Sequence, residues 1–159
     1  MIKNYITLML ASLVGIVSLI VYGCASHDIS SRSIKLLDAA ESGNIDVVKS
    51  LIQEGAPLDL PCPTEFGWTP LIGAIFHNQT NVVKYLVESG ANVNRPSVSG
   101  ETPLMTAAGL GDDGAVLVRY LLEHGADLNA TNKLGATVID FIRAPPPKPE
   151  LLKIIYGKK

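Results

Sequence analysis

Charge and aromatic rings are both scarce in this chain of 159 residues. Asp, Glu, Lys and Arg make up 18% of it, and Phe, Trp and Tyr only 6%. Fifteen acidic residues against thirteen basic ones give a net charge of −2. The basic excess by which a nucleic-acid-binding domain attracts phosphate is therefore missing. With only Cys24 and Cys62, neither a disulfide framework nor an all-cysteine metal site can be built. The three histidines, His27, His77 and His124, include no pair four apart, the spacing that sets two imidazoles on one helix face for zinc. There is no glycine-rich phosphate loop after a strand pattern and no nucleophile elbow. Asp112-Asp113, flanked by glycines, offers too few oxygens at loop spacing for calcium and reads as a solvated turn. These absences describe a non-catalytic chain that needs no cofactor and no metal. What the chain does have is apolar sequence, 47% of the total, enough to fill the core of one domain.

The first residues stand apart from the rest. Met1 to Asn4 carries one positive charge, Tyr5 to Tyr22 is almost uninterrupted apolar sequence, and Val21-Tyr22-Gly23-Cys24 follows. A charged start, an apolar run and a small residue before a cut describe a secretory signal. The closing cysteine makes residues 1–23 resemble a bacterial lipoprotein signal peptide, although Tyr22 departs from the small residue usual there. The resemblance implies cleavage before Cys24 and lipidation of Cys24, and several acyl chains on one residue give stable membrane anchoring. An uncleaved anchor is the alternative, since 18 residues barely cross a hydrocarbon core of ~30 Å. Ala25 rather than Asp follows the cysteine, which by the same resemblance implies an outer-membrane lipoprotein facing the periplasm, with inner-membrane anchoring on the periplasmic side as the alternative. Residues 24–32 then read as the lipidated cysteine and a polar linker.

From residue 33 onward the chain repeats itself. Gly67-Trp68-Thr69-Pro70-Leu71 returns as Gly100-Glu101-Thr102-Pro103-Leu104 and, weakened, as Gly135-Ala136-Thr137-Val138-Ile139. A second block, Val82-Val83-Lys84-Tyr85-Leu86-Val87-Glu88-Ser89-Gly90-Ala91, has copies starting at Val47 and Leu117. Thr69 and Thr102 are suited to cap a helix N-terminus, and Pro70 and Pro103 to sit at its first position, where a missing N–H costs nothing. Gly43, Asn78 and Gly111 are expected to stop the first helix of each pair, and Gly55, Gly90 and Gly125 the second.

Period, Thr-Pro-Leu block and Gly-Ala-x-x-Asn block together resemble ankyrin repeats, over Ser33 to Lys159. The resemblance implies an all-α solenoid of about four helix-turn-helix units joined by β-hairpin-like loops. The units span about 34–66, 67–99, 100–134 and 135–159, and the outer two are degenerate. The family has a histidine bonded back to the threonine; Leu37, Ile72, Met105 and Asp140 occupy that position here, so the bond is expected to be missing from all four units, with apolar packing replacing it in the inner ones. The loop from Leu58 to Phe66 is longer than its successor by two residues. Within it, Cys62 reads as an exposed lone thiol. The proline run from Ala144 to Pro149 is expected to join a shortened helix to a closing helix over Glu150 to Tyr156.

The resemblance also implies where function lies. Ankyrin proteins bind other proteins on a concave face made of loop tips and first helices. Carried onto this sequence, the contact positions are Glu65, Phe66, Trp68, Phe76 and His77 in the second unit, Val98, Ser99, Glu101, Gly109 and Leu110 in the third and Lys133, Leu134 and Ala136 in the fourth, with Glu41 and Ser42 in the first. All three Phe-or-Trp positions among these fall in one unit, and aromatic anchors ringed by polar groups are the usual makeup of a binding hot spot. The expected function is a monomeric, non-catalytic protein–protein interaction module tethered to the bacterial envelope. Its layout is similar to that of immunity proteins that block a toxin delivered to the periplasm; an envelope stress or assembly factor that docks a periplasmic enzyme is the alternative.

Overall fold

The computed structural model describes residues 29–63, 66–145 and 148–157. The apolar segment at 5–22, Cys24 and Glu65 lie outside the described residues. Those described form eight helices and no strand. The first, α1, covers residues 29–41. It is followed by α2 (Ile45–Gln53), α3 (Pro70–Phe76), α4 (Thr80–Glu88), α5 (Pro103–Gly109), a 3₁₀ turn (Gly111–Gly114), α6 (Ala115–Glu123), α7 (Val138–Arg143) and α8 (Pro149–Tyr156). Residues 29–32, read from the sequence as the end of a linker, are thus helical and continuous with the first unit, and Ser33 is buried.

Local chemistry sets these boundaries. Thr69 Oγ1 accepts from the Ile72 N–H and Thr102 Oγ1 from the Met105 N–H, both at 3.3 Å, each satisfying one orphan donor of a first turn. The first helices stop at residues with left-handed backbone: Gly43, Asn78 (φ 54°) and Gly111. The second helices stop the same way at Gly55, Gly90 and Gly125. In the inner units, Ile72 and Met105 are fully buried, so apolar packing does replace the back-bonded histidine. The fourth unit departs from expectation. Asp140 Oδ2 accepts from the Thr137 N–H (2.7 Å) and from the Thr137 hydroxyl (2.9 Å), so a carboxylate restores the bond that the imidazole makes in the family. Those bonds, the backbone one first, hold the Asp140 carboxyl below the usual range.

Helix pairs stack side by side. Successive first helices meet, α3 on α5 and α5 on α7, while α2 meets α4 and α6 meets α8 in the second row. The loops between pairs fold back like hairpins without forming a ladder. Cys62 N–H donates to Trp68 O, Ser97 N–H to Glu101 O and Asn132 N–H to Ala136 O, at 2.9 to 3.0 Å. The first of these turns encloses two more residues than the others, as the longer Leu58–Phe66 loop requires. Neighbouring loops are stitched by repeated contacts. Asp59 Oδ1 accepts from Asn92 N–H and Asn94 Oδ1 from Asp127 N–H, each at 2.8 Å, and Lys133 N–H donates to Ser99 O. Gly100 shows how close this stitching is. Its φ is +84°, and a Cβ there would lie 2.9 Å from the Lys133 backbone nitrogen.

One apolar core runs through all four units, from Leu36 through Leu71, Leu86, Leu104 and Leu121 to Leu151 and Ile154. α8 closes it. Leu151 is fully buried, and the buried Lys148 turns its Nζ onto the Phe141 carbonyl near the end of α7. Leu151→Ala should cost about 2–5 kcal/mol of unfolding free energy in urea titration, the range for truncating a buried leucine. A chain ending at Pro149 should aggregate or melt much lower. If either variant is as stable as the parent, α8 is not a cap.

Candidate partner-binding site

The aromatic residues of the second unit meet at the entrance to α3. Trp68 lies just before the Thr69 cap, and Phe76 is the last residue of α3, eight positions further along the chain. A helical rise of about 1.5 Å per residue would set them roughly 12 Å apart along the axis. Their ring centroids are nonetheless 4.7 Å apart, inclined at 41°. Helical side chains lean towards the N-terminus, which is what brings the Phe76 ring back over Trp68. Phe66 stacks on Trp68 at 5.1 Å and 25°. His77 meets the Phe76 ring edge-on at 5.3 Å. Its Nδ1 lies 3.2 Å from the Gly73 carbonyl, which can only accept, so Nδ1 carries the hydrogen of that bond. Phe66 and Phe76 remain 57% and 50% exposed, while Trp68 is half-buried. Trp68 is therefore the platform of the cluster, and the two phenylalanines are the parts that a partner can reach.

The facing wall comes from α1. Leu37, Asp38 and Glu41 complete a cleft of about 390 Å³ with Phe66, Trp68, Phe76 and His77. Asp38 and Glu41, three apart on a helix, share one face. Close approach of α1 to α3 depends on Gly73, where a Cβ would lie 2.5 Å from Leu37 Cδ1. Gln79 Nε2 donates to the Glu41 carbonyl at 3.0 Å and fixes the end of α1 against the start of α4. Among the described residues, neither the Asp38 nor the Glu41 carboxylate takes part in an ion pair or a side-chain hydrogen bond.

Leu110, Glu101 and Lys133 do not join this cleft. Leu110 caps the end of α5 and packs on the core. Glu101 and Lys133 sit in the later loops, where their backbone groups hold the hairpin turn and the stitch to Ser99. Leu37 and Asp38 are not among the contact positions of the family; their signal is the i, i+4 and i, i+3 relation to Glu41.

Cys62 also differs from expectation. It is buried, and its Sγ donates to the Ser33 carbonyl at 3.1 Å. The longer loop folds in against α1, so the thiol becomes a contact between unit one and the first hairpin. Burial, then the charges of Asp38 and Glu41, push its pKa up to about 11. An unfolded thiol ionises near 8.5. Between that value and about 11 the unfolded chain has lost the proton and the folded chain has kept it, so stability should fall as pH rises through this window. Native protein at pH 8 should react with a thiol-specific disulfide reagent far more slowly than urea-unfolded protein. Equal rates would show the loop to be open.

Among the described residues, no group of three His, Cys, Asp or Glu could hold a metal ion, and no helix is long and apolar enough to cross a membrane. No curated protein matches the chain in sequence. A family model for ankyrin repeats (3 copies) matches residues 8–97 and 36–132. Threonine-capped first helices, left-handed stops and hairpin-like loops stitched unit to unit are the structural form of that match, and the chain belongs to the ankyrin repeat family.

Proposed function

We infer that this chain is an envelope-tethered adaptor that holds one protein partner against the cleft between α1 and the second-unit aromatics. Membership of the ankyrin family supports a protein partner in general. The observation that carries the placement is the stacked trio of Phe66, Trp68 and Phe76, half exposed at its two ends and backed by a rigid helix start. Rigid aromatic anchors of this kind give most binding energy per residue at interfaces. The tether rests on the apolar run and on Cys24, and places the repeats on the periplasmic side of the outer membrane. An immunity protein against a periplasm-delivered toxin is the form of this function that the layout favours. A neighbouring gene for a secreted lipase, nuclease or peptidoglycan hydrolase is the observation expected for it.

Two experiments test the two halves. Cys24→Ala should leave an unprocessed chain heavier by the signal's mass and abolish metabolic labelling with palmitate; processing elsewhere with release into the soluble fraction would sink the tether. For the cleft, full-length protein in mild detergent should lose about 1–3 kcal/mol of partner affinity on Phe76→Ala, the range for a hot-spot side chain. Its unfolding free energy should change much less, because the ring is half exposed. Lys153→Ala, on the exposed side of α8, should leave affinity alone. Equal affinity for the Phe76→Ala and parent proteins would remove the cleft as the binding site.

A further inference from the structure

We propose that the cleft receives an arginine side chain of the partner protein. This rests on the cleft being the partner site and adds the chemistry of what enters it. The cleft pairs two features that a purely apolar anchor would not need. One wall is a run of aromatic faces, with Trp68 between Phe66 and Phe76. The other carries the Asp38 and Glu41 carboxylates. Among the described residues no lysine or arginine lines the cleft, so its two acidic residues share it with the rings and His77 alone. The negative π faces and the two carboxylates attract the same sign of charge. An apolar side chain placed there would cover both carboxylates and leave them poorly solvated, whereas a cation would compensate them.

Arginine fits better than lysine on two grounds. Its guanidinium is a plane that stacks on an aromatic face, and its fork of N–H donors matches a carboxylate in bidentate fashion. Asp38 and Glu41 lie within one turn of α1 and line the same cleft as Phe76, so a guanidinium entering it has carboxylate acceptors beside the rings. Lysine would bring a compact, strongly hydrated charge that gains less from the flat rings. The cleft is also positioned to hold its shape without the ligand. Gly73 sets the spacing of α1 and α3, Gln79 ties down the Glu41 carbonyl, and Cys62 ties Ser33 of α1 to the hairpin.

Trp68 is the only tryptophan in the chain, so its fluorescence reports this cleft alone. The test titrates full-length protein in non-ionic detergent with acetyl-Gly-Arg-Gly-amide, and in parallel with the same peptide carrying citrulline, a neutral isostere, or lysine. The arginine peptide should give a saturable change in Trp68 emission at millimolar concentration, weakened by salt, at least about tenfold tighter than the citrulline peptide and tighter than the lysine peptide. Asp38→Asn with Glu41→Gln should reduce the arginine response to the citrulline level, with an unchanged far-ultraviolet circular dichroism spectrum. No saturable response to arginine, or equal responses to arginine and citrulline or lysine, would overturn the proposal. The same two-site variant measured against the protein partner separates this proposal from the reading beneath it. Affinity lost on Phe76→Ala but kept in Asp38→Asn/Glu41→Gln keeps the cleft and removes the arginine. Affinity kept in both removes the cleft as well.

Discussion

No helix pair of this protein can bury its apolar stripe alone, and everything else follows from that. The helices from α2 onward are six to nine residues long, below the ~12–15 at which an isolated helix becomes even marginal in water. Stability has to come from neighbours, so each pair lays its stripe on the next and one core extends from Leu36 to Ile154. The caps and left-handed stops fix where each short helix starts and ends, and hence the register at which units meet. A stack built this way has two ends. α1 covers the first and α8 the second, and both depart from the repeat consensus.

The stack frees one surface for function. Loop tips and the outward sides of the first helices carry no core duty, apart from the stitching bonds between adjacent loops. The second unit uses this freedom most. Its longer hairpin turns Cys62 inward onto Ser33, which draws α1 to the loop. α1 in turn carries Asp38 and Glu41 to the far side of the aromatic trio. The longer hairpin is thus coupled to the shape of the cleft. The third and fourth units lack both the aromatic cluster and the longer turn, and Leu110, Glu101 and Lys133 do not line the cleft.

The repeat itself was legible because its signals are local. A Thr-Pro pair, a glycine at a fixed offset and an apolar pair four residues on each have one physical reading, and the structure places all of them as expected. The aromatic trio was legible for the same reason, since its members lie within eleven residues of one another. What sequence did not show depends on contacts between units. Asp140 was read as the loss of a back-bond, because the pattern asks for histidine; a carboxylate three residues into the helix makes an equivalent bond to the same threonine. Cys62 was read as exposed, because proline-flanked loops usually face water; only the position of α1 shows that this one is covered. Asp38 stands at no contact position of the repeat, and Leu37 stands at the histidine position, so only the packing of α1 against α3 brings them to the cleft.

The central claim is that a protein partner sits against the second-unit aromatics and not on the second-helix row. A photo-crosslinking amino acid placed at position 76, and separately at position 116 on the exposed side of α6, tests it in intact cells. The account predicts a partner-sized adduct from position 76, abolished by Phe66→Ala, and none from position 116. An adduct from position 116 with none from position 76 would contradict it.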